Sequence, residues 1–387
     1  MKIAFFSNYM NHHQKMLCDE LYRLTRGDFR FVACEQIKEE RLALGYEDMN
    51  NIDYVLREYE DKKAHEEAEK WCMESDIIIH GSAPEEFVTK RLKKNLPVFR
   101  YSERIFKKGS IYRFSPKALK ALYDRHGKFK RKPLFMLCAS AYTAMDMHCV
   151  FAYPDKAFRW GYFPEVKRYE NIDELISRKE PNSILWVGRF LDLKHPEMAI
   201  KIAKCLKSDG YNFKLNMIGN GTVLEKIKEL VMEENLSDVV TLHGAMSPEQ
   251  VRQHMEKSQI FLFTSDRNEG WGAVLNESMN SACAVVASHI IGSVPYLIDD
   301  DINGFIYRDG DVIDLTCKVK RILDNPQKAI DAGKMAYMTL TEQWNPRNAA
   351  KRFVNLAEAV CRGEKNLDIY EGGVCSKSPL LKDNWYK

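Results

Sequence analysis

No run of this sequence is apolar for the roughly 20 residues that a bilayer-crossing helix takes. A signal-peptide core is missing too, because the first strand-like run turns polar at Ser7 and Asn8. The N-terminus therefore reads as a buried first strand, and the chain as one that stays in the cytoplasm, with any membrane contact peripheral. C-x-x-C pairs are absent, and the ten cysteines are scattered, several in apolar runs such as Phe135-Met136-Leu137-Cys138. That pattern argues against zinc or redox sites and for reduced core thiols. There is no low-complexity tract, and hydrophobic (45%) and charged (29%) residues stand in the proportions of an ordinary folded protein. Overall charge is also slight, at +3, but it conceals a local excess: residues 86–135 hold sixteen Lys and Arg against three Asp and Glu.

What is present is a repeating pattern. Short apolar, β-prone runs at 3–6, 29–33, 77–79, 98–100 and 135–138 alternate with amphipathic helical stretches. The scheme recurs at 183–187, 214–218, 239–242, 260–263 and 284–288, which predicts two α/β domains with parallel sheets. A length of 387 residues suits two such cores. The polar stretch 169–182 reads as a linker between domains 1–168 and 183–345. Trp344-Asn345-Pro346 breaks the helical pattern beyond 326 and starts a last helix, and the tail from 366 to 387 reads as an irregular extension over the surface.

The densest chemistry follows the run 260–263, where Thr264 to Gly272 forms a glycine-bearing loop ahead of a helix that carries Glu277. In an open parallel sheet, ligands bind at the carboxyl ends of strands, and a helix start offers free N–H groups to an anion such as a diphosphate. Gly270 and Gly272 would let backbone approach phosphate oxygens, with Glu269 and Glu277 facing the same ligand.

The eight-residue spacing of Glu269 and Glu277 resembles the E-x7-E motif of the retaining family-4 glycosyltransferases. Gly188, Arg189 and Lys194 look like that family's G-R-x-x-x-x-K segment, while Gly219, Gly221 and Gly244 are similar to its G-x-G and strand-end glycines. The resemblance spans nearly all of 183–310. It implies a GT-B fold, two facing Rossmann-like domains with the donor site in the cleft, closing to exclude water, and a C-terminal helix and tail, 346–387, that cross back to the N-terminal domain. It also implies a hexosyltransferase of cell-surface polysaccharide synthesis that retains the anomeric configuration and uses a nucleotide sugar, a UDP-sugar first. The resemblance further implies that neither metal nor cofactor is needed. Arg189 and Lys194 would bind the diphosphate and stabilise it as leaving group. Glu269 would lie against the sugar and Glu277 on the ribose, with Gly188, Gly219, Gly244, Gly270, Trp271 and Gly272 completing donor contacts.

In the first domain the resemblance is looser. The loop after the first strand lacks the family's glycines and carries Asn11, His12 and His13 instead, candidates for the acceptor, with helix capping the other reading of Asn11. Many family members place a histidine in the cleft; here either His80 or Glu103 stands at a suitable strand end. The basic stretch 90–132 interleaves cations with Phe99, Tyr101, Phe106, Tyr112, Phe114, Tyr123 and Phe129. It reads as a docking face for an anionic membrane bearing a lipid-linked acceptor, ahead of a solvated face and well ahead of nucleic acid. Two rival functions share the pattern: a nucleotide-sugar 2-epimerase, and a non-catalytic relative that binds nucleotide sugars.

Overall fold

The computed structural model describes residues 1–39, 47–107, 109 and 114–387. The chain divides into two units. Met1–Glu165 with Trp344–Lys382 form one, and Val166–Gln343 with Asp383–Lys387 form the other.

Among the described residues, the first unit carries a parallel sheet of seven strands in the order β3-β2-β1-β4-β5-β6-β7. These are β1 (Ile3–Ser7), β2 (Phe29–Ala33), β3 (Val55–Arg57), β4 (Ile77–His80), β5 (Val98–Ser102), β6 (Leu134–Cys138) and β7 (Ala157–Arg159). Strands β1, β4 and β6 are buried at every position, as continuous apolar runs must be when helices cover both faces. Register keeps the carboxyl ends level: Phe6 lies beside His80, and Ser102 beside Cys138. The loops after β1, β5, β6 and β7 therefore leave from one edge, with the order reversing between β1 and β4.

The second unit repeats the plan with six strands, ordered β10-β9-β8-β11-β12-β13. They are β8 (Glu180–Val187), β9 (Lys214–Ile218), β10 (Val240–Gly244), β11 (Ser258–Phe263), β12 (Ala284–Ser288) and β13 (Phe305–Tyr307). Its reversal falls between β8 and β11, the two strands whose following loops carry Arg189, Lys194 and Glu269. A core including Ile184, Trp186, Met217, Leu262 and Val286 fixes these strands from beneath.

Three expectations from sequence are corrected. Residues 169–182 are not a linker but part of the second unit: Asn171 caps a helix at Ile172–Ser177, and β8 begins at Glu180. Ile176 packs there against Ala282 and Tyr337, so an apolar patch inside a polar stretch was enough to fold it. The tail is not merely a surface extension, since Cys375 and Val374 are fully buried and Cys375 N–H donates to the Arg159 carbonyl at 2.8 Å, covering the β7 edge. Several cations of the basic stretch are internal. Arg91 is fully buried and donates to the carbonyls of Cys72, Ser75, Asp76 and Pro97; Arg100 pairs with Glu85, and Arg104 lies 3.6 Å from Asp146. Phe99 and Phe106 are core residues as well, and Tyr112 lies outside the described residues.

At the break expected near residue 344, Asn345 accepts a hydrogen bond from Asn348 N–H and Pro346 opens the helix Pro346–Cys361. No helix among the described residues is long and apolar enough to cross a membrane. All ten cysteines are free, five of them buried.

Candidate functional site

The carboxyl end of the second sheet is built by three interlocked loops. Gly188 N–H donates to the Ile218 carbonyl, and Gly219 N–H to the Gly244 carbonyl. Gly219 has a φ of +141°, and a Cβ there would overlap the Gly188 carbonyl, so both the backbone angle and the close approach require glycine. Thr264, at the end of β11, accepts from Trp186 Nε1 at 2.9 Å and donates to the Lys194 carbonyl at 2.7 Å. Asp266 N–H donates to the Leu193 carbonyl at 3.0 Å. These bonds tie the loop after β8 to the loop after β11.

That tie brings Lys194 and Glu269 into an ion pair, although 75 residues separate them. Their side chains are 15% and 14% exposed, and Ser265 Oγ also donates to Glu269, at 3.2 Å. Arg189 is exposed at the end of β8 and has no carboxylate partner among the described residues. Gly272 takes a φ of +80° with no room for a Cβ beside Phe263, and turns the chain into the helix Val274–Asn280. Glu277 sits half-buried in that helix. Burial pushes its carboxyl pKa up, partly offset by Arg252, whose guanidinium donates to the Glu277 carbonyl at 3.2 Å. No hydrogen bond among the described residues uses the Glu277 carboxylate. Of the four charged residues, the structure pairs Lys194 with Glu269, while Arg189 follows the same strand as Lys194 and Glu277 lies in the helix after the Glu269 loop.

Trp271 is a correction. Expected among the donor contacts, its indole is 1% exposed and donates to Asn276 Oδ1 at 2.9 Å, so its bulk and polarity are both spent on packing.

In the first unit, Asn11 takes the capping reading and His80 departs from the expected cleft role. Asn11 uses its side chain as the cap of the helix His12–Leu24, accepting from His13 N–H and donating to Gln14. His80 is 1% exposed, with Nε2 bonded to the Pro84 carbonyl at 3.0 Å, and burial followed by the nearby Arg100 charge pulls its pKa down to about 4. It is a neutral core residue. Glu103, by contrast, stands at the carboxyl edge. It accepts from Tyr162 Oη at 2.5 Å and pairs with Lys107, and the Tyr162 ring stacks on His13 with centroids 5.5 Å apart. His12 is the neighbour of His13, ring to ring at 3.7 Å. Tyr162 was missed from sequence because it follows the short strand β7, which had no visible alternation.

The family model for glycosyl transferases group 1 matches residues 167–339. Residues 167–339 are thus similar to a glycosyl transferases group 1 domain. Among curated proteins, the chain is 26% identical over 205 residues to the amylovoran biosynthesis glycosyltransferase AmsK of Erwinia amylovora, covering 52% of this chain and 49% of the relative. It is 29% identical over 152 residues to the lipopolysaccharide 1,6-galactosyltransferase of Escherichia coli, covering 39% and 42%. The matches span less than half the length of these relatives. Among solved structures, Anabaena HepE in complex with UDP superposes with a TM-score of 0.69 at 13% identity, covering 93% of this chain and all of that one. This likeness establishes the fold, GT-B.

Within residues 167–339, one cluster escaped sequence reading. His195, in a left-handed backbone conformation (φ 47°, ψ 52°), lies 2.7 Å from Glu197 and 3.5 Å from Asp266. Its two acidic partners, Asp266 first and then Glu197, raise its pKa to about 10. A group whose folded pKa exceeds its unfolded value contributes stability in full below the unfolded value, near pH 6.5, and loses it as pH rises toward the folded one. Replacing His195→Asn is therefore expected to lower the urea midpoint of the domain most at pH 6 and progressively less toward pH 9.5. A deficit independent of pH would mean that the side chain acts through packing alone.

Proposed function

We propose that the chain is a glycosyltransferase that moves a hexose from a UDP-sugar to a glycan or lipid-linked acceptor in cell-surface polysaccharide synthesis, with retention at the anomeric carbon and without a metal ion. The observation that carries this reading is the Lys194–Glu269 ion pair, which joins the loop after β8, where Arg189 is exposed, to the loop after β11 that leads into the Glu277 helix. UDP in the Anabaena structure supports the donor, and the likeness to an amylovoran biosynthesis enzyme and to a lipopolysaccharide galactosyltransferase supports the setting.

The chemistry follows from charge. As the bond from the anomeric carbon to the β-phosphate oxygen breaks, negative charge grows on the diphosphate and positive charge on the sugar. Arg189 presents a planar fork of donors and Lys194 a mobile ammonium, and both stabilise the leaving diphosphate more than the bound donor. Glu269 accepts from sugar hydroxyls and offsets the positive charge at the anomeric carbon, while Glu277 holds the ribose. The acceptor hydroxyl forms its new bond on the face that the diphosphate leaves. In the first unit, Glu103 with Tyr162, His13 and His12 supplies the polar groups for the acceptor.

Delivery of a lipid-linked acceptor would use the remaining basic surface on the cytoplasmic side. The helix Pro116–Arg125 has no buried residue, and Tyr123 (53%) on it and Phe114 (68%) beside it are exposed. Lys117, Lys120, Lys128, Lys130 and Arg131 are exposed around them, and each cation near an anionic surface contributes about 1 kcal/mol.

Incubation with UDP-, GDP-, ADP- and dTDP-sugars in EDTA, followed by mass spectrometry, tests the donor reading. Slow release of UDP is expected, reduced about a hundredfold in Arg189→Ala and Lys194→Ala. Conversion of the nucleotide sugar to an isomer without release would instead make the chain an epimerase. Sedimentation with phosphatidylglycerol vesicles, and not with phosphatidylcholine alone, is expected of the basic face. Equal binding to both, or to neither, would contradict the membrane role.

A further inference from the structure

Asp383–Lys387 belong to the second unit, although the preceding segment Trp344–Lys382 belongs to the first. Their anchoring is polar and aromatic at once. Asp383 forms an ion pair with Arg267. His289, just after β12, accepts from Asp309 N–H through Nδ1 at 3.0 Å, so its Nε2 carries the proton and donates to the Asp383 carbonyl, also at 3.0 Å. Tyr386 stacks on His289 with centroids 5.8 Å apart, and its hydroxyl donates to the Ile306 carbonyl at 2.7 Å.

Arg267 lies in the middle of the loop that carries Glu269. On one side of it Asp266 is held by His195 and the Leu193 carbonyl; on the other, Glu269 is held by Lys194 and by Gly292 N–H at 3.4 Å. The only counter-charge for Arg267 among the described residues is Asp383, and its Nε is buried without a partner. A guanidinium 27% exposed and stripped of that carboxylate would be left with a poorly solvated charge, and the loop would shift to solvate it.

We propose that Asp383 is a positioning residue for the donor site: by clasping Arg267 it holds loop 264–272 in the conformation that sets Glu269 against Lys194. The consequence for ligand binding rests on the donor reading above, whereas the clasp itself does not.

The full chain with Asp383→Asn tests it by two measurements. Hydrogen exchange without ligand should quicken in 264–272 and stay unchanged in the core strands β8 and β9, and calorimetry should show UDP binding weakened roughly tenfold, a loss of about 1.4 kcal/mol. Asp383→Glu should restore both, as should the reversed pair Arg267→Asp with Asp383→Arg. Unchanged exchange overturns the clasp, and so does failure of the reversed pair to recover. Quicker exchange with unchanged UDP affinity overturns the positioning role. Tighter UDP binding overturns it too, by making the carboxylate a competitor for the anion. If the unaltered chain binds none of UDP, GDP, ADP or dTDP, the donor reading fails, and exchange still decides the clasp.

Discussion

Lys194 and Glu269 are held together where water has little access, and neither charge has another full counter-charge among the described residues. Breaking such a pair by removing one partner costs about 3 kcal/mol or more, because the survivor is left poorly solvated. The surrounding backbone is arranged to keep them in register: Thr264 on the Lys194 carbonyl, Asp266 on the Leu193 carbonyl and on His195, and Arg267 on Asp383. A pair of this kind is also exchangeable. A diphosphate offers Lys194 a stronger anion than one carboxylate, and a sugar offers Glu269 hydroxyl donors in return.

The sheet supplies the reason why these groups meet at all. In a parallel sheet every strand ends at the same edge, and the loops on either side of the order reversal splay apart to leave a crevice. In the second unit the reversal lies between β8 and β11, and the loops that follow those two strands carry Arg189, Lys194 and Glu269. In the first it lies between β1 and β4. There the edge gathers His13 after β1, Glu103 after β5 and Tyr162 after β7.

Sequence made the long, central parts legible. Ten strands were visible as apolar runs, and observed limits such as Phe29–Ala33, Lys214–Ile218 and Ala284–Ser288 coincide with the expected ones. Those missed, β3, β7 and β13, are three-residue strands at the sheet ends, too short to display a pattern and each beside one named strand only. The same limit hid Tyr162. In the site, spacing within one loop was readable, as for Glu269 and Glu277, but the destination of a side chain was not. His80 looked like a strand-end ligand and is a desolvated core residue; Trp271 looked like a donor contact and is a packing residue. Contacts between distant segments, His195 with Asp266 or Asp383 with Arg267, leave no periodic trace in a single chain.

The central claim is that a nucleoside diphosphate takes Lys194 from Glu269. Calorimetric titration of UDP, without its sugar, into the unaltered chain and into Glu269→Gln tests it most directly, because the amide leaves the ammonium uncommitted while keeping the side chain's shape. The account predicts tighter UDP binding by the variant, by about three- to tenfold. Equal or weaker binding would contradict it, and would mean that the Lys194–Glu269 pair is a fixed strut rather than the contact that the donor displaces.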